Sequence, residues 1–347
     1  MEARKASSYL PLLLVVMALM VIATGGYVRV SDTGESCPDW PTCFGTWGFD
    51  ISEDEQEEWY EETGEYDSRG MNKRYTTFEI FTEWIHRLLA TLSGMVVIGA
   101  LIAAWRQGEA LSKRTKKAGW IALALILSQG FLGMVTVVLD NDTWTVVLHL
   151  MFALGYTSWL LWWWLSWRAD FGDLPDWAAA PIEGLPEKRK RVAIALGHVV
   201  PVLVLGVWVS TGEGGAYNQG CSVGFPRGYP LCQGELVPDI MASMAVMAAW
   251  VHRLAVGIVA VVLGFGLWKL HGAGDSDTIY QLYGLASLAY LVNMALGALY
   301  VILAAGEDGF PEHLSLMHLL CGASCVLFLA LALVVSEVAG SPEDEEE

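Results

Sequence analysis

Eight apolar stretches recur along the 347 residues, each long enough to cross the hydrocarbon core of a bilayer, for which a helix needs about 20 residues. A soluble core of ordinary size could not absorb them all. In lipid every backbone N–H and C=O must be bonded within the segment, so each stretch is expected to be a helix. The reading is an all-α integral membrane protein with helices near Tyr9–Val30, Phe78–Trp105, Ala118–Leu139, Thr143–Trp167, Val192–Thr211, Ile240–Trp268, Gln281–Ala305 and His313–Ser336. The first stretch has a second reading, a cleaved signal peptide. Its length, and its counterpart in the second half of the chain, favour a retained helix.

Lysine and arginine fall in alternate connections. Arg4 and Lys5 precede the first helix, and Arg106, Lys113, Arg114, Lys116 and Lys117 follow the second. Arg168 and the run Lys188–Arg191 follow the fourth helix, and Lys269 follows the sixth. Basic loops stay on the cytoplasmic side, so a multi-pass protein of the cell membrane with both termini cytoplasmic is expected. The formal net charge of −18 does not suit nucleic-acid binding. Much of it lies between Asp50 and Asp67, in Glu53, Asp54, Glu55, Glu57, Glu58, Glu61 and Glu62, with more in the tail Glu343–Glu347. Two readings stand: a solvated acidic loop, or the densely charged surface of a halophile's protein.

The chain repeats itself. Trp84-Ile85-His86-Arg87-Leu88 matches Trp250-Val251-His252-Arg253-Leu254 at an offset of 166. Leu132-Gly133 matches Leu296-Gly297 at 164, and Leu148-His149-Leu150 matches Met317-His318-Leu319 at 169. Matches in one order at nearly one offset imply two halves, 1–170 and 171–347, each a four-helix bundle related to the other by pseudo-symmetry. An even number of helices per half makes this a parallel repeat. The register pairs Gln129 with Asn293, amides in apolar helices that are expected to hydrogen-bond across helices.

His86, His149, His252 and His318 fall one to each even-numbered helix, near its outer end. Ionisable side chains inside a membrane are costly and are functional candidates for that reason. Two imidazoles on facing helices can supply both axial ligands of a heme. Zinc fits less well, since no carboxylate or cysteine set completes a four-ligand site in both halves. Arg87 and Arg253 follow two of these histidines. They either balance heme propionates or snorkel and pair with outer-loop acids. His198, His271 and His313 read as structural or solvated.

Cys37 and Cys43 lie in the first outer loop, and Cys221 and Cys232 in the third. One pair per half on the oxidising side reads as two disulfides. They are either staples or reducible centres beside a heme, and a zinc site would need all four cysteines to converge. The cysteine spacing differs between halves, so the second loop does not read as a copy of the first. Cys321 and Cys325 read as packing residues within the last helix. Glu83 precedes His86 by three residues and shares its helix face, while Ala249 stands at the equivalent place. An acid there can relay protons or stabilise a developing cation, or it can orient the ligand histidine. Glu79, a turn earlier, is a weaker candidate of the same kind.

The segments Gly25-Gly26-Tyr27-Val28-Arg29, Ser36-Cys37-Pro38-Asp39-Trp40-Pro41-Thr42-Cys43, Glu83-Trp84-Ile85-His86-Arg87 and Trp250-Val251-His252-Arg253 together resemble the heme A synthase family, over nearly the whole chain. The resemblance implies oxidation of a heme O methyl group to formyl, giving heme A. It implies that His252 and His318 bind a heme b cofactor, that His86 and His149 serve the substrate heme, and that Glu83 is the essential acid. It further implies that the Cys37–Cys43 pair passes electrons toward an acceptor such as a quinone. A heme O synthase would supply the substrate, and a terminal heme–copper oxidase would receive the product. The main rival is a diheme b-type cytochrome that moves electrons between quinone and a partner. That rival accounts for four histidines but not for an acid confined to one half.

Overall fold

A computed structural model describes residues 6–64, 66, 69–70, 72–271, 277–305 and 310–338, with backbone alone for 213–216. Arg4, Lys5, Asp67 and the acidic tail Glu343–Glu347 lie outside the described residues. Among those described, eight helices are long and apolar enough to cross a membrane. They are α1 (Leu10–Val30), α2 (Thr77–Arg106), α3 (Lys113–Val138), α4 (Thr143–Asp170), α5 (Leu185–Thr211), α6 (Met244–His271), α7 (Thr278–Leu303) and α8 (Glu312–Val338). No strand is formed among the described residues. Large apolar side chains such as Leu127, Phe131, Val261 and Leu288 stand exposed on the helices, as lipid-facing positions would.

The helix ends follow local chemistry. Thr76 caps α2 with its hydroxyl on the Glu79 N–H, and the Glu79 carboxylate accepts the Thr76 N–H at 2.7 Å. This reciprocal capping box occupies Glu79, so its place as a second acid candidate passes to helix capping. Helix α5 begins at Leu185, seven residues before the expected Val192. The basic run expected in a loop is helical, and two of its four charges are partnered: Lys188 pairs with Asp277, and Arg191 with Glu187. Helix α6 begins at Met244 rather than Ile240, with the Ser243 hydroxyl accepting the Val246 N–H.

The chain divides into two compact units: residues 1–108 with 116–160, and residues 109–115 with 161–347. In the first unit α1 packs on α2, and the Trp159 indole on α4 donates to the Ala118 carbonyl on α3. In the second, α5 packs on α6, α6 on α7, α7 on α8, and α8 back on α5. This closes a ring of four helices in chain order.

The acidic stretch of the first unit is not a loose loop. Ser52 and Glu55 form a capping box that starts a short helix, Glu53–Thr63. One face of that helix is buried. The Gln56 side chain pairs with both backbone groups of Tyr75, at 2.9 Å each. Tyr60, Tyr75, Ile51 and Ile80 close over Cys37, Cys43 and Phe44 as one apolar cluster. The acids Glu53, Asp54, Glu57, Glu58, Glu61 and Glu62 take the outer face and are exposed.

Candidate functional site

The four histidines sit at matched depths. His86 is nine residues into α2 and His252 eight into α6, while His149 and His318 are each six residues into α4 and α8. The start of α6 at Met244 therefore improves the match that a start at Ile240 would give. Each ring lies against a glycine of a neighbouring odd-numbered helix. A Cβ added at Gly25 would stand 2.6 Å from the His86 Cε1 atom. The corresponding distances are 3.4 Å for Gly133 and His149, 3.1 Å for Gly206 and His252, and 2.8 Å for Gly297 and His318. At Gly25, Gly206 and Gly297 a side chain would crowd the imidazole, whereas the Gly133 contact is an ordinary one. Gly206 and its role escape sequence reading, because the residues around it differ from those around Gly25.

His86 and His149 belong to the first compact unit, and His252 and His318 to the second. The Nδ1 atoms of His149 and His252 are buried without a hydrogen-bond partner. His86 Nδ1 meets the Thr24 hydroxyl at 3.2 Å, and His318 Nδ1 meets the Asn293 carbonyl at 2.8 Å. No three His, Cys, Asp or Glu side chains gather as a metal site among the described residues. The arrangement is thus two pairs of imidazoles between apolar helices. That donor set fits a planar macrocycle taking one axial ligand from each side, and it does not fit a zinc tetrahedron. The side-chain oxygens of Gln129 and Asn293 are buried without partners. The interhelical hydrogen bonds expected of them are not made by those atoms.

Disulfides join Cys37 to Cys43 and Cys221 to Cys232. The spacing difference conceals a copied loop. At a constant offset of 189, Cys43 and Thr46 exchange both backbone hydrogen bonds, as do Cys232 and Glu235. The two residues between them have positive φ in each case, Phe44 and Gly45, then Gln233 and Gly234. This is a tight turn that favours glycine at its second position. The Trp84 indole donates to the Trp47 carbonyl, and Trp250 donates to Leu236. The expectation of an unrelated second loop is therefore corrected. The added residues fall between Cys221 and Gly228, upstream of the shared part.

Both arginines serve these loops. Arg87 Nη1 donates to the carbonyls of Asp39 (2.6 Å) and Thr42 (2.8 Å), and Arg253 Nη1 to those of Gly228 (2.5 Å) and Leu231 (3.0 Å). Both guanidiniums clamp loop carbonyls, a role that neither expectation, heme propionates or snorkelling, included. Inward-turned carbonyls at an apolar surface need donors, and a guanidinium offers several in one plane.

The halves part at the acid. Arg87 Nη2 donates to the Cys37 carbonyl at 2.7 Å and to Glu83 Oε1 at 2.5 Å. Glu83 Oε2 accepts the Ser36 hydroxyl at 3.0 Å and the Cys37 N–H at 2.9 Å. The carboxylate is buried and joins the histidine-bearing helix directly to the disulfide's backbone. In the second half Ala249 packs instead against Cys221, Cys232 and Val246. Ser36 and Thr24 are site residues that sequence reading missed. Ser36 opens a recognised segment but was given no role there, and Thr24 lies one residue before another.

A family model described as cytochrome oxidase assembly protein, COX15-CtaA, matches residues 8–332. Similar proteins include a heme A synthase of Shouchella clausii strain KSM-K16, 26% identical over 287 residues that cover 82% of this chain and 83% of that one. A heme A synthase of Halalkalibacterium halodurans is 23% identical over 320 residues, 91% and 92% of the two chains. A protoheme IX farnesyltransferase of Halobacterium salinarum strain NRC-1 is 28% identical over 170 residues, 48% of this chain and 32% of that protein.

Proposed function

Since the chain belongs to the COX15-CtaA family of cytochrome oxidase assembly proteins, we propose that it is a membrane oxidoreductase that converts heme O to heme A. In this reading the first half receives heme O between His86 and His149, and the second half holds heme b between His252 and His318. The names of the relatives in S. clausii and H. halodurans support the reaction. The observation that carries the assignment of halves is the acid: on a shared frame of histidines, glycines and clamped loops, the first half has Glu83 at the position where the second has Ala249.

Bound heme supplies an iron that can change oxidation state. The chain supplies the rest. His86 with His149, and His252 with His318, each ring backed by a glycine, would hold the hemes, and the apolar helices around them would exclude water. Arg87 and Arg253 hold the outer loops of their halves. Glu83 takes protons released as the methyl group is oxidised, or stabilises positive charge developing at that carbon. Its bond from the Cys37 N–H couples its position to the Cys37–Cys43 disulfide, which passes electrons toward an acceptor such as a quinone. In this reading the disulfide-bearing loops lie on the oxidising face and the basic connections inside, in the cell membrane with both termini cytoplasmic. A heme O synthase supplies the substrate, and the farnesyltransferase similarity supports such a neighbour. A terminal heme–copper oxidase takes the product.

The test is co-expression with a heme O synthase in a host lacking heme A, followed by extraction of the pigments. Heme A is expected from the unmodified chain, and heme O alone from Glu83→Gln. Heme O left unconverted by the unmodified chain would favour an electron-transferring diheme cytochrome.

A further inference from the structure

We propose that each half has one anchored and one unanchored axial histidine, and that the anchored one changes helix between halves: His86 on α2 in the first, His318 on α8 in the second. This rests on the heme-binding reading of both pairs.

The assignment comes from where protons can go. The Thr24 hydroxyl lies 3.0 Å from the Met20 carbonyl and 3.2 Å from that of Val21. Its single hydrogen goes to a carbonyl, which only accepts. Toward His86 Nδ1, at 3.2 Å, the oxygen therefore presents a lone pair. Nδ1 of neutral His86 must carry the ring proton, and Nε2 keeps the lone pair for iron. The Asn293 carbonyl, 2.8 Å from His318 Nδ1, imposes the same tautomer there. His149 and His252 have no such partner at Nδ1, although both atoms are buried.

A separate measure agrees. The anchored ring presses closer on its glycine in both halves: 2.6 Å against 3.4 Å in the first, and 2.8 Å against 3.1 Å in the second. Sequence accounts for part of the switch. At the place of Thr24, one residue before the glycine, the second half has Leu205, which offers no acceptor to His252.

An Nδ1–H that donates to oxygen fixes the ring's orientation and makes Nε2 a better ligand, and loss of such a partner typically costs ten- to a hundredfold in metal affinity. The unanchored histidine is thus the one that yields to an incoming ligand. In the first half, whose heme must enter and leave, that is His149.

The repeat and the anchoring predict different patterns, which separates them. Four single variants of the full-length protein, purified with bound hemes, are read by optical and electron paramagnetic resonance spectra for heme content and spin state in each half. His149→Ala and His252→Ala are expected to keep their heme as a five-coordinate, high-spin species. His86→Ala and His318→Ala are expected to lose it. The low-spin signal of the untouched half reports that each variant is folded. Heme release from the first half should quicken at least about tenfold in Thr24→Val and return to normal in Thr24→Ser. Pairing of His86 with His252 in behaviour, equal loss in all four variants, or an unchanged release rate in Thr24→Val would overturn the proposal. If the unmodified chain holds no heme in a half, the heme-binding reading of that half fails, and the anchoring inference with it.

Discussion

Replacing Arg87 with Met tests the clamp against its counterpart. The Arg87 side chain is 15% exposed and that of Glu83 4%, so the substitution leaves a nearly buried carboxylate without its cation. Removing one partner of a buried pair costs roughly 3–5 kcal/mol. The Asp39, Thr42 and Cys37 carbonyls lose a donor as well, but the loop surface lets water replace part of it. Arg253→Met strips the carbonyls of Gly228 and Leu231 and strands no charge, because Ala249 stands in the acid's place. Its cost is about 1–2 kcal/mol. Loop opening exposes the disulfide, so the assay is the rate of reduction of each disulfide by an impermeant thiol, followed by alkylation. At about 1.4 kcal/mol per tenfold, Cys37–Cys43 should be reduced at least a hundredfold faster in Arg87→Met. Cys221–Cys232 should be reduced about tenfold faster in Arg253→Met. Adding Glu83→Gln to Arg87→Met removes the stranded charge and should recover about tenfold. Equal acceleration in the two loops, or no recovery in the double variant, would refute the view that Arg87 neutralises Glu83 as well as holding the loop.

The glycines give a graded series. Gly25→Ala and Gly297→Ala, at 2.6 and 2.8 Å from their imidazoles, should displace the histidine and lower heme content, whereas Gly133→Ala at 3.4 Å should be tolerated; heme per protein from extracted pigment decides this. The Glu55 carboxyl is held below the usual carboxylate range by the Ser52 backbone N–H and then the Ser52 hydroxyl, with burial opposing weakly. Its contribution to the short helix is present above the unfolded value of about 4.3 and is lost as pH falls through the lower folded value. The protection factors at Gln56–Tyr60, which correct for the intrinsic exchange rate, should therefore fall on acidification, and Ser52→Ala, which removes the hydroxyl but keeps the backbone N–H, should weaken that dependence. The exposed acids of the same helix repel one another. Molar salt shortens the screening length to about 3 Å, so the helix should gain protection in high salt; identical protection at low salt would contradict a halophilic surface.

Eight helices were legible because backbone satisfaction in lipid demands long apolar runs, and a few residues' error at an end does not erase one. The start of α5 was misplaced because Lys188 reads as a loop charge until Asp277, 89 positions on, is seen to partner it. The histidines and Glu83 were legible because ionisable groups stand out in an apolar run. Thr24 was not, since a hydroxyl in a helix usually bonds its own backbone, and here it does that as well. Counting from the first cysteine hid the copied loop. Counting from Trp40-Pro41-Thr42-Cys43-Phe44-Gly45 against Tyr229-Pro230-Leu231-Cys232-Gln233-Gly234 would have found it, because turn geometry is set around the second cysteine. The cap over the first disulfide was illegible for another reason. Seven acids in the stretch mask the few residues, Gln56 and Tyr60 among them, that turn inward.

The shared clamp bears on how an acid can exist in the first half at all. Arg87 and Arg253 hold loop carbonyls in the same way, so the cation is required by the loop whether or not an acid is present. Glu83 is placed where a guanidinium already stands, and most of the desolvation cost of a buried carboxylate is offset there. The second half has the same cation and no acid. Ala249→Glu should then be accepted with Arg253 as its partner. Ala249 packs on Cys221, Cys232 and Val246, so crowding would cost about 1–3 kcal/mol, without the further 3–5 kcal/mol of an unpaired buried charge. Thermal unfolding of Ala249→Glu beside Ala249→Gln measures the difference. The two variants should match within about 1 kcal/mol, because the charge adds little to the crowding both share. A much less stable Glu variant would mean that Arg253 cannot serve as a counter-ion, and that the first half's acid depends on Ser36 and the Cys37 N–H more than on the arginine.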